Sequence, residues 1–360
     1  MVRATENMEF EKFKFMQFPR DIYVGHGVIQ RTRDVVKKNL RGDRVAIITG
    51  ENTIKLAGRE ISEILSDASI DNAILIAGPA DEENLEKVTQ EARDYGANMI
   101  IGVGGGSKID LAKKTAYYLD VPLVSIPTTP SHDGIASPRA SIRRRGWSVS
   151  EEAVMPVSII ADTSIMVKVP YRYLKAGAAD VISNETAILD WKLANRLKGE
   201  DYSSSAAAIA EYAARELIER AHMIMPGVEE SVWLVTKQIL ASGTSMAIAA
   251  SSRPASGGEH LIAHALETMA PGKAIHGEQV AIGSVITMFL HGGDWKSLVS
   301  VFERIGISIR ARDYGINDHI MIEALRTAHR IRPERFTILG EVDLSYNAAE
   351  TALKITRIIE

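Results

Sequence analysis

The chain has 360 residues, which is too many for one ordinary hydrophobic core and predicts two domains of roughly 150–200 residues each. Hydrophobic residues make up 46% and charged residues 24% of the chain, and no apolar run approaches the ~20 residues of a membrane span. The absence of cysteine excludes disulfides, cysteine-ligated zinc and a cysteine nucleophile, and the net charge of -4 gives no reason to expect nucleic acid as a partner.

The N-terminal segment, residues 1–15, is charged and amphiphilic. It lacks the apolar core of a signal peptide. Together with the absence of cysteine, this pattern predicts a cytoplasmic protein.

Short β-branched runs alternate with amphipathic segments in the first half, which predicts a parallel sheet with crossover helices. The predicted strands are residues 45–49, 73–76, 99–103, 123–126 and 157–161, and the predicted helices are residues 53–65, 82–95 and 108–119. Each strand is almost continuously apolar, as expected when helices cover both faces of the sheet. A polar, arginine-rich interruption between residues 137 and 157 predicts a hairpin with Arg143–Arg145 at its solvated tip.

After Tyr171 the strand patterns disappear, and long segments rich in alanine, leucine and isoleucine follow. These segments predict helices at residues 185–197, 203–222, 230–250, 257–269, 277–291, 295–305, 317–331 and 346–359. Glycine and proline separate them. The predicted fold is therefore an N-terminal Rossmann-like α/β domain, residues 1–168, followed by an all-α domain, residues 169–360.

Three consecutive glycines, Gly104–Gly106, stand between a predicted strand and a predicted helix in IIGVGGGSKID. Glycines let the backbone approach a ligand closely, and the new helix offers free N–H groups and a positive dipole end, which suits a diphosphate. The motif is neither GxGxxG nor the GxxxxGK[ST] phosphate loop. A tight turn without a ligand is the alternative.

A second polar turn, IPTTPSHDG, follows the strand at 123–126. Hydroxyl groups at Thr128, Thr129 and Ser131 suit hydrogen bonds to a ribose, a nicotinamide amide or a phosphate, and two prolines stiffen the turn. An ordinary capped loop explains the segment equally well.

Three histidines lie in GGEHLIAHALETMAPGKAIHGE, residues 257–278. His260 and His264 are four residues apart, so they project from one face of a predicted helix. Pro271 and Gly272 end that helix, and His276 stands at the start of the next one. Two of the three imidazoles can therefore converge on a metal ion, with an oxygen ligand from elsewhere. Packed or capping histidines are the alternative.

The segments GGGSKID, IPTTPSHDG, AGAADVISN, GGEHLIAH and HGE, in this order, resemble the iron-containing alcohol dehydrogenase and dehydroquinate synthase superfamily. Within it, IPTTPSHDGIASPRASI, IIADTSIM and DVISNETAILDWKLA resemble the archaeal sn-glycerol-1-phosphate dehydrogenase family, and the resemblance covers essentially the whole chain. It implies a dehydroquinate synthase-like fold. It also implies reduction of dihydroxyacetone phosphate to sn-glycerol 1-phosphate, the backbone of archaeal ether lipids, by a homo-oligomer that uses NAD(H) or NADP(H).

The resemblance also implies the roles of individual residues. Asp180, His260 and His276 match the ligands of one Zn²⁺ per subunit, with Fe²⁺ as the alternative metal. Asp133, Asp180 and His264 match substrate contacts; Asp133 and His264 are the catalytic candidates, and His264 is the candidate for proton relay. The glycine turn and the resemblance together give the predicted cofactor contacts, which are Gly104, Gly105, Gly106, Ser107, Lys108, Ile109, Asp110, Thr128, Thr129, Pro130, Ser131 and Ser137.

Other interpretations remain at this point. Asp180 alone is also compatible with the N-cap of an apolar helix. A glycerol dehydrogenase would share these motifs and act on an unphosphorylated substrate, whereas a dehydroquinate synthase carries glutamate at the position of Asp180. A protein that binds nucleotide or metal without turnover is the third alternative. A substrate phosphate would need backbone amides and a lysine or arginine from the helical domain.

Overall fold

The computed structural model describes residues 14–145 and 147–360; most of the N-terminal segment and Gly146 lie outside the described residues. Its strands are β1 (Asp21–Gly25), β2 (Arg44–Thr49), β3 (Asp71–Ile76), β4 (Met99–Gly104), β5 (Leu123–Pro127), β6 (Arg139–Arg144), β7 (Trp147–Glu152) and β8 (Ser158–Asp162). Six of them form one parallel sheet in the order β1-β8-β5-β4-β2-β3. The other two, β6 and β7, form the predicted antiparallel hairpin.

Helices connect most of the parallel strands, and further helices make up most of the described chain after β8. They are α1 (Thr32–Asn39), α2 (Arg59–Asp67), α3 (Glu82–Tyr95), α4 (Gly106–Leu119), α5 (Thr163–Met166), α6 (Tyr171–Ile182), α7 (Asn184–Lys198), α8 (Ser204–Glu219), α9 (Glu229–Ala249), α10 (Gly258–Met269), α11 (His276–Leu290), α12 (Trp295–Arg304), α13 (Asp318–Thr327) and α14 (Tyr346–Ile355). None of these described helices is both long and apolar enough to cross a bilayer.

The sheet is buried on both faces, as its continuous apolar strands predict. Along β2, Val45 and Ile47 belong to one hydrophobic cluster, whereas Ala46 and Ile48 belong to another. Because successive side chains of a strand point to opposite faces, the two clusters lie on opposite sides of the sheet. This arrangement confirms the predicted α/β architecture.

A third cluster joins the sheet to the helical half. Ile109 of α4 and Ile159 of β8 pack in the same buried cluster as residues of α6, α9, α10 and α11. Strands are absent from the described chain after Asp162, which confirms the predicted all-helical C-terminal half. A division into two domains at residue 168 remains a prediction.

Four elements were not predicted from the sequence, and one of them, α5, is a single helical turn. The strand β1 is short and only half-buried at the edge of the sheet, so it lacks the apolar run that marks the other strands. The helix α1 is a short segment with few apolar residues. The helix α6 corrects the interpretation of Asp180 as an N-cap, because Asp180 lies in the last turn of this helix.

Two glycines allow α6 to approach its neighbours closely. A Cβ atom at Gly177 would overlap the carbonyl oxygen of Pro130, which lies in the turn after β5. A Cβ atom at Gly277 would overlap the carbonyl oxygen of Ala176, so α11 and α6 are in backbone contact there. This contact fixes the separation between Asp180 on α6 and His276 on α11.

We predict that Gly277→Ala destabilises the protein by ~1–3 kcal/mol through overpacking and also weakens metal binding, because it forces α6 and α11 apart. The matched control is Gly199→Ala, at a left-handed position whose Cβ would meet open space. The control is expected to lose about 1 kcal/mol from backbone strain alone and to bind metal normally. Thermal unfolding and metal titration measure both effects; unchanged metal affinity in Gly277→Ala would contradict the prediction.

Candidate active site

Three helices bring one carboxylate and two imidazoles together. Asp180 projects from α6, His260 from α10 and His276 from the first position of α11. The Asp180 Oδ1 atom lies 3.3 Å from His260 Nε2 and 3.7 Å from His276 Nε2, and one ligand atom from each residue lies within 4.8 Å of the others. The three residues therefore converge on one point, as the resemblance implied.

The donor set fits a metal ion. Asp180 Oδ1 is buried and has no hydrogen-bond partner among the described residues. In a tetrahedral site with bonds of about 2.1 Å, ligand atoms lie about 3.4 Å apart, which matches the two separations from Oδ1. A divalent cation would satisfy the lone pairs of the carboxylate and of both Nε2 atoms.

A second carboxylate orients each imidazole. His260 Nδ1 lies 2.9 Å from Glu259 Oε1, and His276 Nδ1 lies 2.9 Å from Glu267 Oε1. An ionised carboxylate only accepts hydrogen bonds, so each Nδ1 carries the proton and each Nε2 presents a lone pair. Carboxylate–histidine pairs of this kind fix the tautomer and the ring orientation of metal ligands.

Glu259 and Glu267 were missed by the sequence analysis. Glu259 is fully buried and also accepts hydrogen bonds from Gly257 N and Thr186 Oγ1. Glu267 bridges two imidazoles, because its other oxygen lies 3.0 Å from His264 Nδ1. The spacing of three residues between His264 and Glu267 on a predicted helix would have suggested their contact.

The charges of the cluster depend on one another. Burial disfavours ionisation of Asp180, yet the imidazoles of His260 and His276 hold its pKa at about 2. Burial alone would lower the pKa of His260, but the carboxylates of Asp180 and Glu259 raise it to about 10. The raised pKa favours the protonated ring when no metal is bound. A metal ion must displace this proton, so we expect metal affinity to rise with pH.

His264, Glu267 and His276 form a second group with ligand atoms close enough for a metal. In this group the nitrogens that face Glu267 already make hydrogen bonds of 2.9 and 3.0 Å to its two separate oxygens. Burial lowers the pKa of His264, so its imidazole is neutral at neutral pH. The group is better suited to orienting His264 toward a substrate than to holding an ion.

Asp133 joins the cluster from the sheet side. Its backbone N–H donates to Asp180 Oδ2 at 2.9 Å, and its own Oδ2 accepts from Ser242 Oγ at 2.7 Å. Burial and the nearby Asp180 carboxylate raise the pKa of Asp133 to about 7. The raised pKa favours a protonated Asp133 more than that of an exposed aspartate would, beside the candidate metal ligands.

The glycine turn has the features of a phosphate site. Gly104 has φ +152°, a conformation that glycine adopts readily, and it leads into Gly105 at the N-cap of α4. The N–H groups of Gly106 and Ser107 make no hydrogen bond to any described residue. Thr128 N–H donates to the Gly104 carbonyl at 3.0 Å, which ties the second polar turn to the first. The free N–H groups of this helix N-terminus suit a diphosphate.

A cavity of about 570 Å³ connects the glycine turn with the carboxylate–imidazole cluster. Its lining includes these predicted site residues: Gly106, Ser107, Asp110, Ser131, Asp133, Ser137, Asp180, His260, His264 and His276. The other predicted cofactor residues, which are Gly104, Gly105, Lys108, Ile109, Thr128, Thr129 and Pro130, do not line it. Ile109 is buried in the core, so only its backbone is available to a ligand.

Comparison with known proteins identifies the fold class of the chain. A family model described as iron-containing alcohol dehydrogenase matches residues 23–170. The structure resembles glycerol dehydrogenase from Schizosaccharomyces pombe, with a TM-score of 0.80 at 23% identity, over 96% of this chain and 90% of that chain. It also resembles an iron-containing alcohol dehydrogenase from Thermotoga maritima, with a TM-score of 0.73 at 14% identity, over 96% and 99% of the two chains. The fold is that of the iron-containing alcohol dehydrogenases.

Two curated relatives carry the name glycerol-1-phosphate dehydrogenase (NAD(P)+). The one from Thermoplasma volcanium is 57% identical over 98% of this chain and 100% of its own length. The one from Picrophilus torridus is 58% identical over the same shares of the two chains. The chain belongs to the glycerol-1-phosphate dehydrogenases, within the iron-containing alcohol dehydrogenase family.

We predict that Glu267→Gln weakens metal affinity by about 10- to 100-fold, because a glutamine cannot accept hydrogen bonds from both His264 and His276. The control is Glu303→Gln, at an exposed position on α12. Competitive titration with a chelating indicator measures the dissociation constant. Equal affinities in the Glu267 variant and the wild type would show that the carboxylate does not position His276.

Proposed function

We propose that this protein reduces dihydroxyacetone phosphate to sn-glycerol 1-phosphate with NADH or NADPH, and so supplies the backbone of archaeal ether lipids. The observation that carries the proposal is the near full-length identity of 57% to a protein of that name, supported by the convergence of Asp180, His260 and His276 on one point. The aspartate at position 180 favours the dehydrogenase over the synthase interpretation.

Asp180 Oδ1, His260 Nε2 and His276 Nε2 would hold one Zn²⁺ per subunit, with Fe²⁺ as the alternative. This set of one carboxylate and two imidazoles suits both metals. The bound metal supplies a Lewis acid that polarises the ketone and lowers the barrier by several kcal/mol. Glu259 and Glu267 keep both Nε2 lone pairs directed at the ion.

The dinucleotide would lie along the carboxyl edge of the sheet, where ligands of open α/β sheets bind. The proposed contacts are the predicted residues Gly104–Asp110, Thr128–Ser131 and Ser137. The unpaired N–H groups of Gly106 and Ser107 support the diphosphate position. The buried hydroxyl of Thr128, which has no partner in the described chain, supports a polar ligand beside it. The nicotinamide supplies the hydride.

Asp133 and His264 would handle the substrate hydroxyls and the proton. The Ser242 hydroxyl leaves one oxygen of the Asp133 carboxylate free to orient a substrate hydroxyl. Neutral His264 accepts the proton of the alcohol at Nε2 in the oxidation direction and returns it in the reduction direction. Glu267, hydrogen-bonded to His264 Nδ1, stabilises the imidazolium that forms in between.

We also propose that the protein is a homo-oligomer in the cytoplasm. The absence of cysteine in 360 residues supports a reducing compartment.

We predict that the purified protein oxidises NADH or NADPH when dihydroxyacetone phosphate is added. Turnover should stop after chelation, return with Zn²⁺, and be absent from His276→Ala, which should also fail to retain metal. A stereospecific assay should identify sn-glycerol 1-phosphate as the product. Turnover of unphosphorylated dihydroxyacetone at an equal rate would instead indicate a glycerol dehydrogenase, and no turnover of any ketone would contradict the proposal.

A further inference from the structure

Two arginines of the cavity lining, Arg332 and Arg143, have no ion pair or side-chain hydrogen bond among the described residues, and of these two only Arg332 is partly buried, whereas Arg143 is exposed. Arg332 follows the short helical turn Ala328–Ile331, is half-buried, and lines the cavity together with His264. Within the described parts of the chain, no carboxylate oxygen lies within 4.0 Å of its guanidinium, and its side chain makes no hydrogen bond. The Glu334 carboxylate acts on Arg332 electrostatically without contacting it, and a half-buried cation that no carboxylate contacts favours an anionic ligand.

Three neighbouring arginines have partners of their own. Arg253 forms a two-pronged ion pair with Glu200, and Arg330 pairs with Asp343 at the surface. Arg335 donates to the Ser256 carbonyl at 2.5 Å and to Ser252 Oγ at 2.8 Å. These contacts anchor three guanidinium groups in the protein and leave that of Arg332 to the cavity.

A second arginine of the cavity lining, which is exposed, comes from the hairpin. Arg139 stands at the start of β6, lines the same cavity and is held by the hydroxyl and the carbonyl of Ser150. Burial lowers the pKa of Arg332, the charge of Arg139 lowers it further, and the carboxylate of Glu334 opposes both effects. Two cations that face one cavity repel each other unless an anion lies between them.

We propose that Arg332 and Arg139 form a subsite for the phosphate monoester of the substrate. Guanidinium groups bind phosphate oxygens in two-pronged hydrogen bonds, and an ion pair made inside a cavity is stronger than one in water. Arg332 also acts on His264 electrostatically, and the imidazole of His264 lies 5.7 Å from that of His276. The subsite is thus beside the reacting centre, as a three-carbon phosphate ester requires. This inference rests on the proposed function.

The other source of a phosphate monoester is the 2′-phosphate of NADP(H). In open α/β sheets that group binds beyond the strand next to the glycine turn, which here is β2. The first basic residue after β2 is Lys55, which lies in the helical turn Ile54–Gly58. This segment is the candidate position for a 2′-phosphate. If Arg332 binds the phosphate of the substrate, its loss leaves the preference between NADH and NADPH unchanged. If it binds the 2′-phosphate, its loss weakens the use of NADPH alone.

The test uses Arg332→Met, with Arg332→Lys as the charge-retaining variant and Arg330→Met as the surface control. For Arg332→Met we expect the KM for dihydroxyacetone phosphate to rise roughly 10- to 100-fold, with the KM ratio of NADPH to NADH unchanged. Arg332→Lys should recover part of the loss, and Arg139→Gln should show a smaller rise. Arg330→Met should match the wild type. Equal metal content in all variants excludes an effect on the metal ligands.

Binding of inorganic phosphate to the chelator-treated protein tests the subsite without turnover. With the dinucleotide site saturated by NAD+, so that the glycine turn is occupied, calorimetry should detect phosphate binding to the wild type and lose it in Arg332→Met. An unchanged KM and unchanged phosphate binding in this variant would overturn the inference, and a change confined to NADPH would assign the subsite to the cofactor. If the wild type fails to reduce the phosphate ester but still binds phosphate through Arg332, the proposed function fails and the subsite stands.

Discussion

The site depends on a carboxylate that stays ionised inside the protein. The Asp180 side chain is only 1% exposed, and a buried carboxylate without partners costs several kcal/mol. One of its oxygens accepts the N–H of Asp133, and the other faces the imidazoles of His260 and His276. Satisfying this one group therefore fixes the relative positions of a loop from the sheet and three helices.

Two further carboxylates orient the imidazoles of this buried cluster. Glu259 and Glu267 hold the Nδ1 sides of His260 and His276, so both rings present Nε2 to the same point as Asp180. Glu267 also reaches His264, which links the candidate metal ligands to the candidate proton relay. The parallel sheet contributes by ending its strands at the same edge, so the glycine turn and Asp133 open into one cavity with the helical half.

The sequence predicts the helices and strands that have periodic apolar patterns better than it predicts the contacts between them. Apolar runs identified the central strands, and the four-residue spacing of His260 and His264 placed them on one helix face. The helix α6 was missed because it follows a loop without a clear cap, and the role of Asp180 came from resemblance alone. Arg332 carries no local pattern that distinguishes it from a surface charge, because the other residues of its cavity come from segments far apart in the chain, which periodicity does not report. The contact of Glu267 with His264 follows from helical spacing, but its contact with His276 depends on the turn between two helices.

The most direct test of this account is the position of the metal, measured by anomalous X-ray scattering at the zinc edge from crystals of the zinc-loaded protein. We expect one strong peak within about 2.0–2.2 Å of Asp180 Oδ1, His260 Nε2 and His276 Nε2. A peak among His264, Glu267 and His276, or no peak at all in crystals of active protein, would contradict it.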